Sequence, residues 1–508
     1  MKKIIYMLVT MVLATVGCGS CDSFLTREPE TKVTNINYWK TETDVERAVW
    51  GLQSLFRDTY SKVTLILRDR GLMTDYMTGL YLDIANNNLE KAYLRNGAQC
   101  AWTYEYMVVA NANLIVDNIH RADLPDDRRD FYLGQALGIR AFSYFYILRL
   151  WGDAPLVRYS EDVGEKGRTP WQELADFAIA DLEKAAEILP VAVDLRNGDG
   201  TAVTSKQYFS RGTAYALLAH LYAWKGALNQ EPGLYAKGIR AADEVIGKGG
   251  YELAADPGEV CRSVMHGNSA EGILELDFDE SKGETKSSGS YMAGICQKWP
   301  LQPKTTPATA RSIALTNDLV YTMYPDATDR RREEYFYRLD SMAGVSVSQT
   351  KGCAYVQKWR HPVVFTEGAL IGRMKTYDEN DVLIRLADMI LLRAELREKT
   401  GDRAGAIADL NTIRRRAGAR EFADAEGDPA DAISLERDRE LLLEGSYLRY
   451  WDKVRNGTFR RDLKGRFRTL TDEEVADGAL YLPVATQAFV DNPAMLQNRY
   501  WKAHGFNY

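Results

Sequence analysis

Two sets of residues have the types and spacing to do chemistry. The first is a pair of thiols near the amino terminus, Cys18 and Cys21. Lys2 and Lys3 precede an apolar run from Ile4 to Val16 that ends in small residues at Cys18, the layout of a bacterial export signal rather than of a fold element. A thiol at the end of such a signal is the group that becomes acylated in a lipoprotein. Cys21 leads directly into Asp22-Ser23-Phe24-Leu25 and is the expected lipidation site, with residues 1–20 as the signal; Cys18, preceded by Gly17, is the alternative. Lipid chains gain of order 0.8 kcal/mol per buried methylene, so several chains together make a stable anchor.

The second set consists of rings and amides. A sugar presents a flat C–H face that can stack on an aromatic ring, edged by hydroxyls that amides and carboxylates can hydrogen-bond. Residues of these types lie in two stretches without helical periodicity. One is Thr74 to Asn96, with Tyr76, Tyr81 and the run Asn86-Asn87-Asn88; the other is Gly250 to Gly372, with Tyr291, Gln297 and Trp299. Irregular insertions on a regular scaffold usually carry binding groups. The competing reading is that these rings fill local cores, and 29 tyrosines make coincidence easy. Trp102 and Tyr106 share a helical pattern with Asn113 and are expected in the core.

Catalytic signatures are missing. The chain has no GxSxG elbow, no HExxH helix and no GxxxxGK(S/T) phosphate loop. Paired carboxylates leave no motif of their own, so a glycoside hydrolase stays open as a competing class, beside a structural or adhesion protein without a small ligand. His120, His220, His266, His361 and His504 are scattered without ligand spacing, and no metal or cofactor is expected. Cys100, Cys261, Cys296 and Cys353 show no CxxC spacing, and spacing assigns no disulfide among them. A net charge of −7 argues against a nucleic-acid partner. The basic stretch Arg455, Arg460, Arg461, Lys464, Arg466 and Arg468 is expected as a solvated face or loop.

The elements that must position these residues are helices. Leu133, Leu137, Ala141, Tyr144, Leu148 and Trp151 recur at three- and four-residue steps, and Gly152-Asp153-Ala154-Pro155 stops that helix. A second begins after Thr169-Pro170, with Thr169 as the expected cap, and carries Leu174, Ala178, Leu182, Ala185 and Leu189. The same hairpin layout returns at Ser205 to Ala227 with Tyr235 to Ile246, and at Val382 to Lys399 with Ala404 to Ala417. Ala214, Ala219, Ala387, Ala394, Ala406 and Ala408 are expected at close-packing positions. The expected class is mainly α: a tetratricopeptide-like helical-hairpin scaffold with a large irregular, loop-rich region forming the binding face. The helical repeats are expected over about 40–250 and 380–455, the irregular insertion over about 250–372 and a carboxyl-terminal region over about 430–508.

Five stretches, in order, resemble the SusD/RagB family over nearly the whole chain. They are Cys21-Asp22-Ser23-Phe24-Leu25-Thr26-Arg27-Glu28-Pro29-Glu30 with Tyr38-Trp39-Lys40-Thr41-Glu42; Arg140-Ala141-Phe142-Ser143-Tyr144-Phe145-Tyr146 running into Leu150-Trp151-Gly152-Asp153-Ala154-Pro155-Leu156; Arg385-Leu386-Ala387-Asp388 through Glu395 with Leu410 to Gly418; Glu436-Arg437-Asp438-Arg439-Glu440-Leu441 with Glu444-Gly445 and Trp451-Asp452; and Leu482-Pro483 with Asn492-Pro493 and Gln497-Asn498. Departures occur at Arg393-Ala394-Glu395 and at Ser446-Tyr447-Leu448-Arg449-Tyr450, and they touch the scaffold more than a ligand site. Read from the residues alone, Glu436 to Glu440 sets opposite charges at helical spacing, suited to pairing across helices rather than to catalysis. The resemblance implies residues 21–508 form a nutrient-binding lipoprotein of the outer membrane, facing the cell surface. It would hold an oligosaccharide or peptide, without transforming it, for a SusC-like TonB-dependent transporter.

Overall fold

The computed structural model describes residues 38–71, 76–77, 80–90, 100–284, 313–344, 352–444, 447–490 and 492–506. In chain order come α1 (Glu42–Gly71), β1 (Tyr76–Met77), α2 (Leu80–Ala85), α3 (Thr103–Asn118), α4 (Asp126–Trp151), α5 (Trp171–Ile188), α6 (Arg211–Leu228) and α7 (Gly233–Lys248). Then follow β2 (Gly272–Leu276), β3 (Ile313–Ala314), α8 (Asn317–Met323), β4 (Pro362–Val364), β5 (Met374–Tyr377), β6 (Asp381–Arg385), α9 (Leu386–Lys399), α10 (Arg403–Ala417), α11 (Pro429–Glu440) and α12 (Tyr447–Arg455), with shorter turns between.

The helices stack in sequence. α3 packs on α4, α4 on α5, α5 on α6, α6 on α7, α7 on α9 and α9 on α10, while α1 closes against α12. Each hairpin buries its apolar face against the next, the construction of tetratricopeptide-like arrays. α4 is the central layer: every residue from Gly134 to Trp151 is buried, and Gly138 meets the Phe209 ring so closely that a methyl there would overlap it. Ala214, Ala219, Ala387, Ala394 and Ala406 lie at such contacts, fully enclosed, whereas Ala408 is exposed on the outer face of α10.

Several boundaries differ from the sequence expectation. α5 starts at Trp171, and its first amide donates to Asp153 Oδ1 at 2.9 Å, so the cap comes from the preceding turn and not from Thr169. α6 starts at Arg211, where Ser210 and Thr213 form a reciprocal capping box; residues 205–210 do not join the helix. Asp381–Arg385 is a strand rather than the first turn of a helix, because β6 pairs antiparallel with β2. That ladder joins residues 272–276 to the end of the interval just before α9. The interval also has its own small core, in which Val260, Val264, Val320, Tyr324, Phe336, Trp359 and Leu442 are buried.

A buried ion cluster fastens this interval to the scaffold. Arg331 Nη2 lies 2.7 Å from Glu436 Oε1 and Nη1 lies 3.2 Å from Glu440 Oε2. Arg385 reaches Glu271 at 2.5 Å, Glu440 at 2.8 Å and Glu444 at 2.6 Å. Lys358 Nζ donates to the carbonyls of Glu440 and Leu442, each at 3.1 Å, and to Glu444 at 2.5 Å. Burial pushes the Glu440 carboxyl up, but Arg416, Arg385 and Arg331 around it hold it well below the usual carboxylate range. Charges this deep persist only when paired, since an uncompensated one costs several kcal/mol. The Glu436–Glu440 stretch pairs across helices as expected: Arg437 joins Asp388 of α9 and Asp452 of α12, both at 2.7 Å, and Glu436 joins Arg414 of α10 at 3.1 Å.

Arg455 departs from its expected solvated setting. It is buried at the end of α12, 2.6 Å from Glu395 and 2.7 Å from Asp452. Arg466 lies 2.6 Å from Glu90, while Arg460 and Arg461 do sit near the surface, paired with Asp472 and Asp431. Cys100, Cys261 and Cys353 are buried, and Cys296 lies outside the described residues. Among the described residues no helix is long and apolar enough to cross a membrane.

Candidate ligand-binding site

The two irregular stretches singled out in the sequence meet. β1 pairs antiparallel with β3, with Tyr76 opposite Ala314 and Met77 opposite Ile313. Residues 238 positions apart thereby share a two-stranded ladder, and the 74–96 stretch becomes continuous with the insertion. Tyr76 lies on β1 and Tyr81 in the first turn of α2. Tyr291, Gln297 and Trp299 lie outside the described residues, as do Cys18 and Cys21.

The three asparagines follow α2 and are held unequally. The amides of Asn86 and Asn87 close the helix on the carbonyls of Leu82 and Ile84, both at 3.0 Å. Asn87 takes a left-handed conformation, φ 61°, which asparagine tolerates better than most residues. Its side chain is fully buried: Oδ1 accepts from Arg70 Nη2 at 2.6 Å and Nδ2 donates to the Ala479 carbonyl at 3.1 Å. Asn87 therefore ties the turn to the scaffold and presents no amide to solvent, unlike the expectation that all three would face a ligand. Asn86 and Asn88 are half-buried, and Asn88 Nδ2 bonds only weakly to Asp83, at 3.4 Å.

The support beneath this turn comes from the carboxyl-terminal region. Arg70 also donates to the Leu480 carbonyl at 2.9 Å, and its guanidinium stacks on Tyr450 and Phe467, 4.7 and 5.1 Å from their centroids. Burial pushes the Arg70 guanidinium down, and the surrounding Tyr450 opposes that shift. The Arg466 amide donates to the Asn86 carbonyl at 3.1 Å. Gly465, φ 58°, lies so close beneath Asn86 that a side chain there would overlap it. Neither Arg70 nor Gly465 stood out in the sequence; a lone glycine inside an arginine-rich stretch was the available signal for a close backbone approach. Trp102 and Tyr106 pack as expected, edge to face at 5.7 Å, with Trp102 buried against Trp151.

Comparison with known proteins agrees with this architecture. Residues 320–501 match the SusD family, and residues 28–223 match the family described as "Starch-binding associating with outer membrane". SusD-like protein P38 of Formosa agariphila is 25% identical, over 98% of this chain and 99% of its own length. SusD-like protein P25 of the same organism is 23% identical, over 97% and 98%. Among solved structures, a SusD homolog from Bacteroides thetaiotaomicron superposes with a TM-score of 0.75 at 22% identity, covering 91% of this chain and 98% of that one. A laminarin-binding SusD-like protein superposes with a TM-score of 0.70 at 20% identity, covering 91% and 100%. With two family matches in chain order, relatives aligned from end to end and this helical scaffold, the chain belongs to the SusD/RagB family.

Proposed function

We propose that this protein captures an oligosaccharide at the outer face of the outer membrane and hands it, unchanged, to a SusC-like TonB-dependent transporter. The observation that carries the reading is the family membership over both halves of the chain, whose amino-terminal match is described as starch-binding and outer-membrane-associated. The laminarin-binding structural neighbour supports a glycan as the cargo class. Cys21, or Cys18 in its place, supplies the lipid anchor, and no helix able to cross a membrane is present among the described residues.

The ligand face is assigned to the joined stretches around β1 and β3. Tyr76, Tyr81, Tyr291 and Trp299 supply stacking rings, while Asn86, Asn88 and Gln297 supply amides, with Asn87 fixing the turn from beneath. Calorimetry of the lipid-free chain from residue 22 onward, against glycans and peptides with parallel analysis for cleaved products, tests the reading. Saturable glycan binding without cleavage, and copurification of the full-length protein with a TonB-dependent channel, are the expected results. Turnover would replace it with a hydrolase, and binding confined to peptides would replace the cargo.

A further inference from the structure

A cleft of about 720 Å³ lies between the start of α3, the turn at 155–166 and the segment 485–495. Its volume falls in the range of about 300–1,000 Å³ usual for small-molecule sites. We infer that this cleft is a second saccharide site, specific for a neutral oligosaccharide. The inference rests on the glycan reading above and adds a site lined by none of the residues assigned there.

The walls have the mixed chemistry a sugar needs. Trp102, 8% exposed, and half-buried Tyr106 meet edge to face and back the cleft with ring edges, while Met107 and Val163 line it and remain 44% and 86% exposed. This backing is rigid. Tyr106 Oη donates to the Pro155 carbonyl at 2.5 Å, and Asn113 Nδ2 donates to the Val157 carbonyl at 3.1 Å, so α3 and the 155–157 wall move as one. Opposite stands Asn492, whose Nδ2 donates to the Lys166 carbonyl at 3.0 Å. Its Oδ1 accepts no hydrogen bond among the described residues, and a small turn of this half-buried side chain presents it to the cleft. A buried acceptor left without a donor costs about 1–3 kcal/mol, which a ligand hydroxyl can relieve.

Charge selects against an acidic ligand. Lys166 is the cation among the lining residues, and it is held 2.5 Å from Asp162; Glu165 leaves the lining net negative. A sulfated or uronic chain would meet that carboxylate with no free cation in the lining. A neutral sugar brings C–H faces for Met107, Val163 and the exposed ring edges, and hydroxyl donors for Asn492.

Hydrogen exchange on the lipid-free chain, with laminarihexaose, maltohexaose and cellohexaose as probes, tests the site. At least one hexaose is expected to slow exchange in Thr103–Ala110 and Ala485–Asn492. Met107→Arg and Val163→Arg, both at exposed positions that should not disturb folding, are expected to weaken that protection at least tenfold in ligand concentration. Protection confined to residues 76–90 and untouched by either variant would overturn the second site while leaving the capture reading intact. Protection of the cleft by short peptides alone, or by none of the hexaoses, would also overturn it; copurification with the transporter judges the capture reading separately.

Discussion

Arg70 Nη2 lies 2.6 Å from Asn87 Oδ1, with both side chains buried. That one contact locks the end of a helix that leads out of the candidate ligand face onto Tyr450, Phe467 and the Ala479–Leu480 backbone. The loop geometry at the ligand face is thus set by residues nearly four hundred positions downstream.

Asn87→Ala removes the acceptor of a buried guanidinium and places alanine in a left-handed conformation. A hydrogen bond to a charged group is worth about 1.5–3 kcal/mol, and the conformation costs a further 1–2 kcal/mol, roughly. Denaturant unfolding should show a loss of about 2.5–5 kcal/mol. Asn87→Gly, which relieves the backbone cost alone, should lose less. Glycan affinity lost with stability unchanged would instead mean that Asn87 touches the ligand.

Glu440→Gln withdraws one charge from between Arg331, Arg385 and Arg416. Breaking a buried pair by removing one partner costs about 3–5 kcal/mol. Limited proteolysis should then cut first within 313–344, the part of the insertion that the cluster holds. An unchanged digestion pattern would show that the small apolar core around Tyr324 and Trp359 is sufficient to hold it.

Acid should unfold the protein through these same pairs. Burial raises the Glu395 carboxyl, but Arg455 beside it holds it down, to about 2; Glu440 and Asp388 are likewise depressed by their guanidinium and imidazole partners. A carboxylate depressed in the folded state contributes stability that is present above its unfolded value of about 4.3 and is lost as the pH falls below it. Stability measured by urea unfolding should therefore drop steeply between about pH 4 and pH 2. Arg455→Gln should flatten that drop.

Glu105 behaves in the opposite sense. It sits fully buried on α3 with neither carboxylate oxygen hydrogen-bonded among the described residues, and burial pushes it up to about 7. An acid raised on folding favours the folded state relative to its ionised form only below its unfolded value, so its contribution declines as the pH rises from about 4.3 and levels off above 7. Relative to Glu105→Gln, the wild type should lose on the order of 3–4 kcal/mol across that window. A pH-independent difference between the two would mean that a water or a moved side chain pairs the carboxylate.

Gly138→Ala should lose about 1–3 kcal/mol through overpacking against Phe209. Thermal unfolding of that variant against Gly51→Ala, at a glycine with open space around it, isolates the packing effect from helix propensity.

The sequence by itself determined the hairpins, because their signals are local. Apolar residues at three- and four-residue steps define α4, α5, α6, α7, α9 and α10, Gly152 and Gly418 supply the left-handed or irregular stops, and Asp402 caps α10. The charged run of α11 announced cross-helix pairing, and the order of the motifs announced the family. Tertiary structure decided the rest, where distant segments compete for the same groups. Val382 and Ile384 fit a helix or a strand, and only β2, more than a hundred residues earlier, makes them a strand. Arg455 has the composition of a surface residue, yet two carboxylates from α9 and α12 make its burial affordable. Asn87 carries the same side chain as Asn86 and Asn88 and differs only in what lies beneath it. The pairing of Tyr76 with Ala314 brings the two candidate binding stretches together, and no spacing within either could have shown it, because strand pairing is set by contacts that form only once the chain has folded.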